Sequence, residues 1–274
     1  MSGEPPRSRA AAGGDDPLEG LVRCPACRHA TLEGAGDGRR CPSCGVRFSA
    51  ADGVLDLLAS EMPAPGLAQL AMESALVARI YDSRLWRRSP WATRVLGISA
   101  EREQALVLEA AGLAGDETVL DLACGPGFYT RPLAERLPAG RVIGLDVSRA
   151  MLVLARRRLS QAGQRSVGLV RGSALDLPFP EASFDVATCC GALHLFPDPL
   201  AAVSEVRRVL RVGGRFAVAT VRRLEGPVTS IFEWLGIRPF TVLRLEAMLA
   251  AAGFGAVCMH HARGAWLIAS AEAL

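Results

Sequence analysis

The sequence predicts an α/β fold with a cysteine-rich module at its front, and three observations carry that prediction. From Val119 onward, short apolar runs alternate with segments of helical periodicity, the order expected of a mostly parallel sheet. Val119-Leu-Asp-Leu-Ala-Cys-Gly-Pro-Gly-Phe128 reads as a buried strand, a tight turn at Gly125 and Gly127, and the start of a helix. Two Cys-x-x-Cys pairs, Cys24/Cys27 and Cys41/Cys44, stand well before it.

Length and composition frame these elements. The 274 residues suffice for one large or two small domains with a substantial core. Half of them are apolar, yet no uncharged run is long enough to span a bilayer. Residues 1–20 show no periodicity and lack the apolar centre of a signal peptide, so an unstructured lead and a cytoplasmic location are expected. All 31 basic residues are arginine, and a net charge of +3 is too small to argue for a nucleic-acid partner. Nothing in the pattern speaks to oligomeric state.

Residues 21–58 form the front module. Its two cysteine pairs are separated by thirteen residues that include Gly34, Gly36 and Gly38, so each pair sits on a turn and the glycine-rich stretch joins two strands. Cys24, Cys27, Cys41 and Cys44 then make a closed four-thiolate site, the donor set of structural zinc, with no position left for substrate. A module this small has little core, so the metal supplies much of its folding free energy. Cys124, Cys189, Cys190 and Cys258 sit in apolar, strand-like surroundings and read as packing residues.

Residues 59–112 turn helical, with Leu67, Leu70, Ala71, Ser74 and Val77 on one face, and are expected to form a cap or linker. Residues 113–274 carry the sheet. After the Asp121 strand, Arg141 to Leu145 is a second apolar run ending at Asp146, and Ser148 can cap a helix carrying Met151, Leu152, Ala155 and Leu159. Arg156 to Arg158 read as the solvated face of that helix. Ser166–Val170 and Phe184–Cys190 are the third and fourth strands. Asp198-Pro199 opens a helix with Leu200, Val203, Val206 and Leu210 inward, ended by Gly213-Gly214. Arg215–Val221 is the fifth strand, Arg222–Phe240 a loop long enough to be a lid, Thr241–Gly253 a helix, and the remainder a closing hairpin.

The glycine turn selects its ligand by charge. A pyrophosphate needs bare N–H groups and no anion beside them, whereas Asp121 ends the strand that feeds the turn. At about 4 Å and an effective dielectric near 20, like charges repel by roughly 4 kcal/mol. S-adenosylmethionine (SAM), with an ammonium, a sulfonium and no phosphate, turns that acid into an asset. The third glycine of the dinucleotide pattern is also absent, its position being held by Thr130. Asp146, at the tip of the second strand, is placed to accept the ribose hydroxyls.

With these residues in view, the chain resembles the class I SAM-dependent methyltransferases from about Leu113 to Ala273. Asp121-x-Ala123-x-Gly125-x-Gly127 is similar to their first motif and Gly144-Leu-Asp146 to the second. Leu177-Pro-Phe179, Phe184-Asp185, Gly191-Ala-Leu-His194 and Arg208-Val-Leu-Arg-Val-Gly-Gly214 follow in the family's order. The likeness is greatest to the ubiquinone and menaquinone biosynthesis branch. It implies a Rossmann-like sheet of seven strands, mostly parallel with one reversed, and helices on both faces. It also implies a helical cap over the cofactor, often with a Tyr near it, for which Tyr81 is the candidate. The family usually places Asp where Ser173 stands, to accept from the adenine amino group. A hydroxyl is the weaker acceptor, which shifts weight to Ala174, Leu175 and backbone groups, with Asp176 a possible substitute. Val212 replaces the usual Pro of the last motif.

Methyl transfer from a sulfonium requires alignment and exclusion of water, and a protein base only where the acceptor must lose a proton. His194, emerging from the end of the fourth strand, is the candidate base; a purely structural His is the competing reading. The expected activity is transfer to carbon or oxygen of a small apolar or aromatic acceptor. Two other readings remain. One is an rRNA guanine-N methyltransferase gripping phosphate with the ribbon and Arg39, Arg40, Arg84, Arg87 and Arg88, since a ribbon before such a core also resembles bacterial enzymes of that kind. The other is a non-catalytic SAM-binding scaffold.

Overall fold

The computed structural model describes residues 16–58, 89, 93–94 and 96–274. Tyr81, Arg84, Arg87, Arg88 and the apolar stripe from Leu67 to Val77 lie outside the described residues. Those described form one ten-stranded sheet, ordered β1-β2-β3-β6-β5-β4-β7-β8-β10-β9. Seven strands are the expected sheet: β4 (Thr118–Leu122), β5 (Arg141–Asp146), β6 (Val167–Arg171), β7 (Phe184–Cys190), β8 (Leu210–Val221), β9 (Phe254–Arg263) and β10 (Trp266–Ala273). β4 to β8 pair in parallel, and β10 runs antiparallel to both of its neighbours, β8 and β9, as the single reversed strand.

The other three strands come from the front module: β1 (Gly38–Arg40), β2 (Arg47–Ala51) and β3 (Val54–Asp56). β2 and β3 are joined by Asp52-Gly53, both at positive φ as a two-residue hairpin turn requires. β3 then adds in parallel to the edge of β6, with Leu55 beside Val170 and Asp56 beside Arg171. The module is therefore continuous with the main sheet. Order reaches back to Asp16, earlier than the unstructured stretch expected up to residue 20: Leu18 is buried and Asp16 pairs with Arg39.

Helices cover both faces. α1 (Ala100–Ala111), α2 (Thr130–Glu135) and α3 (Arg149–Gln161) bring Leu106, Val107, Leu133, Leu152 and Leu159 to one face; α4 (Pro199–Val209) and α6 (Val242–Ala251) bring Val203, Val206, Leu245 and Leu249 to the other. α1, which lies within the expected cap-or-linker stretch, packs directly on β8 and β10. Caps follow the sequence closely: Ser99, Ser148, Asp198 and Thr241 each accept a backbone N–H in the first turn of their helix.

The β6–β7 connection differs from the others. Residues 172–183 form no helix, so the second face of β5 and β6 lacks the cover that a crossover helix normally supplies. The front module fills that gap. Leu18, Leu21, Val22, Leu32, Leu55 and Leu57 join Ile143, Leu145, Val170, Leu177 and Phe179 in one core.

Three local expectations change. Gly213-Gly214 does not end a helix; β8 begins at Leu210 and the glycines form a register shift opposite Asp185, where a Cβ on Gly214 would meet the Asp185 and Arg211 carbonyls. Leu200 is exposed, not inward. Arg156 is not on a solvated face, since its guanidinium donates to the Gly53 and Val167 carbonyls and ties α3 to the module. The stretch between β8 and α6 also contains a helix, α5 (Pro227–Trp234).

Candidate active site and metal centre

The glycine turn leaves β4 through a backbone few residues adopt. Ala123, Gly125 and Gly127 all have positive φ, at 53°, 53° and 83°. For Ala123 this is the costly left-handed region; at Gly125 a Cβ would project into open space, so the missing side chain leaves a cradle. Gly127 instead lets α3 approach, its virtual Cβ meeting Ala155 at 3.5 Å.

The hydrogen bonds of the turn decide what it can hold. Gly125 N–H donates to Asp146 Oδ2 at 2.8 Å, and Gly127 N–H donates to the Cys124 carbonyl at 3.1 Å. Neither points a bare N–H outward as a phosphate requires. Asp146 Oδ1 takes the Ser148 N–H at 2.8 Å, so one carboxylate ties the turn to the start of α3.

Asp121 lies beneath the turn and is 1% exposed. Its oxygens accept from Thr130 (2.6 Å) and Thr188 (2.8 Å). Burial pushes its pKa from 3.8 up to about 6 against the pull of the two hydroxyls, with the Asp146 charge raising it further. The carboxylate thus lies beneath the turn and is not exposed at its mouth. Thr130, met in the sequence as a missing glycine, is the first donor to that charge; Thr188 is a lone hydroxyl in an apolar strand. α1 adds residues the sequence reading missed: Gln104 Nε2 donates to the Phe128 carbonyl at 2.9 Å, and fully buried Glu103 accepts from Tyr129 Oη. Glu103 shares the stripe of Leu106, Val107 and Ala110, and an acid on an apolar face was the available signal.

On the other side of Asp146 lies the turn after β6. Ser173 Oγ accepts from Leu175 N–H at 3.1 Å, a local serine turn, and Ala174 packs against the core. Asp176, the possible substitute for that acid, bonds Arg28 of the front module at 2.7 Å through Oδ2.

His194 is a buried, neutral imidazole. Its Nδ1 accepts from Val221 N–H at 3.4 Å and lies 3.2 Å from Thr220 Oγ1, while Trp266 packs edge-on with ring centroids 6.2 Å apart. Burial drives its pKa from 6.5 down to about 3. A base works best with a pKa near the working pH, so this environment favours the structural reading of His194 over that of general base. Burial likewise raises the Cys124 and Cys189 thiols well above their usual range, which suits packing, not nucleophilic attack.

The front module brings four sulfurs together. Cys24 and Cys44 are 3.7 Å apart, Cys27 and Cys41 3.6 Å, and all four lie within 4.8 Å of one another. A tetrahedron with bonds of about 2.3 Å puts sulfurs about 3.8 Å apart, so the set fits a bound ion. The two knuckles are twins: Arg28 N–H donates to the Cys24 carbonyl at 2.9 Å and Gly45 N–H to the Cys41 carbonyl at 3.0 Å. Arg39, expected to grip phosphate, is instead buried against Asp16.

Residues 119–214 match the family model described as a methyltransferase domain. This segment is a methyltransferase domain. The demethylmenaquinone methyltransferase of Lactococcus lactis subsp. lactis (strain IL1403) is 42% identical over 99 residues, covering 36% of this chain and 39% of that protein. The chain thus spans about two fifths of that relative's length. Two solved structures share the fold alone. The cyclase SpnF is 23% identical with a TM-score of 0.63, covering 78% of this chain and 98% of its own. A SAM-dependent methyltransferase from Aquifex aeolicus is 21% identical with a TM-score of 0.57, covering 73% and 99%. Among the described residues, no helix is long and apolar enough to cross a membrane.

Proposed function

We propose that this protein transfers a methyl group from SAM to carbon or oxygen of a small apolar or aromatic acceptor, with a structural zinc in its front module. The observation that carries the cofactor assignment is the Gly125 N–H held by Asp146, which takes that donor away from a phosphate while two acids flank the turn. When bound, SAM supplies a methyl on a sulfonium, whose positive charge is lost on transfer. Asp121 sets a negative potential under the methionine arm, Gly125 leaves room for it, and Asp146 orients the turn and faces the ribose. With His194 neutral and buried, the chain's part is alignment and exclusion of water. Cys24, Cys27, Cys41 and Cys44 hold the zinc, and four protein ligands leave it no catalytic position.

Matched relatives are named for demethylmenaquinone, and the exposed Trp234, Leu235 and Leu243 after β8 support a greasy acceptor. Of the arginines that the RNA reading calls on, Arg39 is buried against Asp16, which counts against it, while Arg84, Arg87 and Arg88 lie outside the described residues. Fold alone does not decide transfer, since a cyclase shares it. Incubation of metal-loaded protein with methyl-labelled SAM and either a detergent-solubilised hydroxynaphthoquinol or total RNA tests the proposal. Label extracted into the organic phase is expected. Label confined to RNA would reassign the acceptor, and SAM binding heat without label in either fraction would make the protein a binder.

A further inference from the structure

Position on the sheet decides which part of the ligand meets the turn after β6. β4, β5 and β6 are adjacent and parallel, with ends at Leu122, Asp146 and Arg171, and neighbouring strands lie about 4.8 Å apart. A nucleoside whose methionine arm starts over the β4 turn and whose ribose faces Asp146 has its base over the end of β6. That is the Ser173–Asp176 turn, which adjoins Asp146 through the Gly172 N–H to Asp146 carbonyl bond of 3.1 Å.

The first metal knuckle holds this turn. The residue before Cys24 and the residue after Cys27 both reach it: Arg23 N–H donates to the Pro178 carbonyl at 2.9 Å, and the Arg28 guanidinium bonds Asp176 at 2.7 Å. From the opposite side Arg208 holds the Leu177 and Phe179 carbonyls, so core and knuckle share the stretch 177–179, and the Arg28 side chain is the knuckle's contact with the Ser173–Asp176 turn itself.

The backbone of Arg28 makes the link more than a surface contact. Arg28 has φ +61°, and the equivalent residue of the second knuckle is Gly45 at +76°. Glycine adopts this conformation without penalty, whereas a residue with a Cβ is strained there. The second knuckle uses the unstrained residue, and the first accepts strain at the one position whose side chain reaches the cofactor edge.

We propose that Arg28 is a positioning residue for the base end of the cofactor: metal fixes the knuckle, the knuckle fixes Arg28, and Arg28 holds Asp176 and with it the adenine-side turn. This rests on the SAM reading above. The test compares Arg28→Gly with the wild-type metal-loaded protein, using S-adenosylhomocysteine and its deaminated analogue S-inosylhomocysteine as calorimetric probes. Arg28→Gly relieves the backbone and is expected to keep one metal per chain and an equal or higher melting temperature. Its affinity for S-adenosylhomocysteine should fall about threefold, the scale of one exposed ion pair, with the inosine analogue unaffected. Reversing the pair, Arg28→Asp with Asp176→Arg, should recover the loss. Unchanged S-adenosylhomocysteine affinity in Arg28→Gly, or equal losses for both probes, overturns the coupling. Failure of the wild type to bind either probe would remove the SAM reading and the coupling together.

Discussion

The two halves of the sheet's second face are covered by different means. Under β7, β8 and β10 the cover is α4, which follows β7, and α6, which follows β8 after α5. Under β5 and β6 it is a metal module from the front of the chain, because residues 172–183 cross to β7 without a helix. Helical cover is held by its own backbone bonds, whereas the module has three short strands and a cluster of four thiolates, the donor set of the proposed zinc. If the module binds the proposed zinc, that binding is coupled to the burial of the sheet's core. A detachable ribbon would leave that core intact.

Removal of the metal breaks the comparison most severely. Cys24→Ser, or chelation of the wild type, should uncover Val170, Leu177 and Phe179 and lower stability by on the order of 5 kcal/mol. For a chain of this size that is a fall in melting temperature of roughly 10 °C or more by calorimetry. An unchanged transition of the core, with only a small separate transition lost, would show that the module is an independent bead.

A pair of truncations sharpens the point. Leu57 on the module and Leu249 on α6 are both buried against the same core, and in metal-loaded protein each change to Ala should cost about 2–5 kcal/mol. After chelation, Leu57→Ala should cost nothing more, because its contacts are already gone, while Leu249→Ala keeps its full effect. Denaturant titration of the wild type and the two variants, each with and without metal, measures this; additive losses would refute it.

How much of this was legible in the sequence follows from the range of each signal. The cysteine pairs, the Gly125/Gly127 turn and the capping residues Ser148 and Asp198 are local patterns, and the structure forms a cluster, a turn and caps at those positions. The docking of β3 was not legible, since three residues, Val54–Asp56, carry no pattern that names a partner more than a hundred residues away. Protonation states were illegible for the same reason. His194 and Asp121 have ordinary chemistry in the chain, and only their burial moves one down to about 3 and the other up to about 6. Thr130 was seen as an absent glycine because its partner, Asp121, is fixed by tertiary contact.

The glycine turn is the control region, built by β4, β5, β7 and α2 with no residue of the module in it. Asp121→Asn should weaken SAM binding by about 10–100-fold, the scale of a charge-assisted contact. It should also raise the stability of the ligand-free protein by up to about 3 kcal/mol. The sign follows from the raised pKa. The folded protein keeps its proton up to about pH 6 and the unfolded chain loses it near 3.8, so stability declines as pH rises between these values and stays lower above them. SAM affinity should run the other way, flat above pH 6 and falling below it. His194→Gln should leave that acid limb in place and Asp121→Asn should abolish it; calorimetry across pH 5 to 8 separates them.

The smallest expected effect concerns the two left-handed residues of that turn. Ala123 has φ +53° and Gly125 has φ +53°, yet only one is glycine. Replacing Ala123 by Gly removes about 1–2 kcal/mol of left-handed strain and adds about 0.5–1 kcal/mol of chain entropy to be lost on folding. The strain relief is the larger, so Ala123→Gly should stabilise by about 0.5–1 kcal/mol. Gly125→Ala meets the same strain with the opposite sign and places its Cβ in the open cradle, so it should lose SAM binding out of proportion to its loss of stability. Equal and opposite stability changes, with affinity lost only in Gly125→Ala, would assign the strain to the backbone and the cradle to the ligand. Comparable affinity losses in both variants would show that the bend as a whole, and not the space beside Gly125, receives the cofactor.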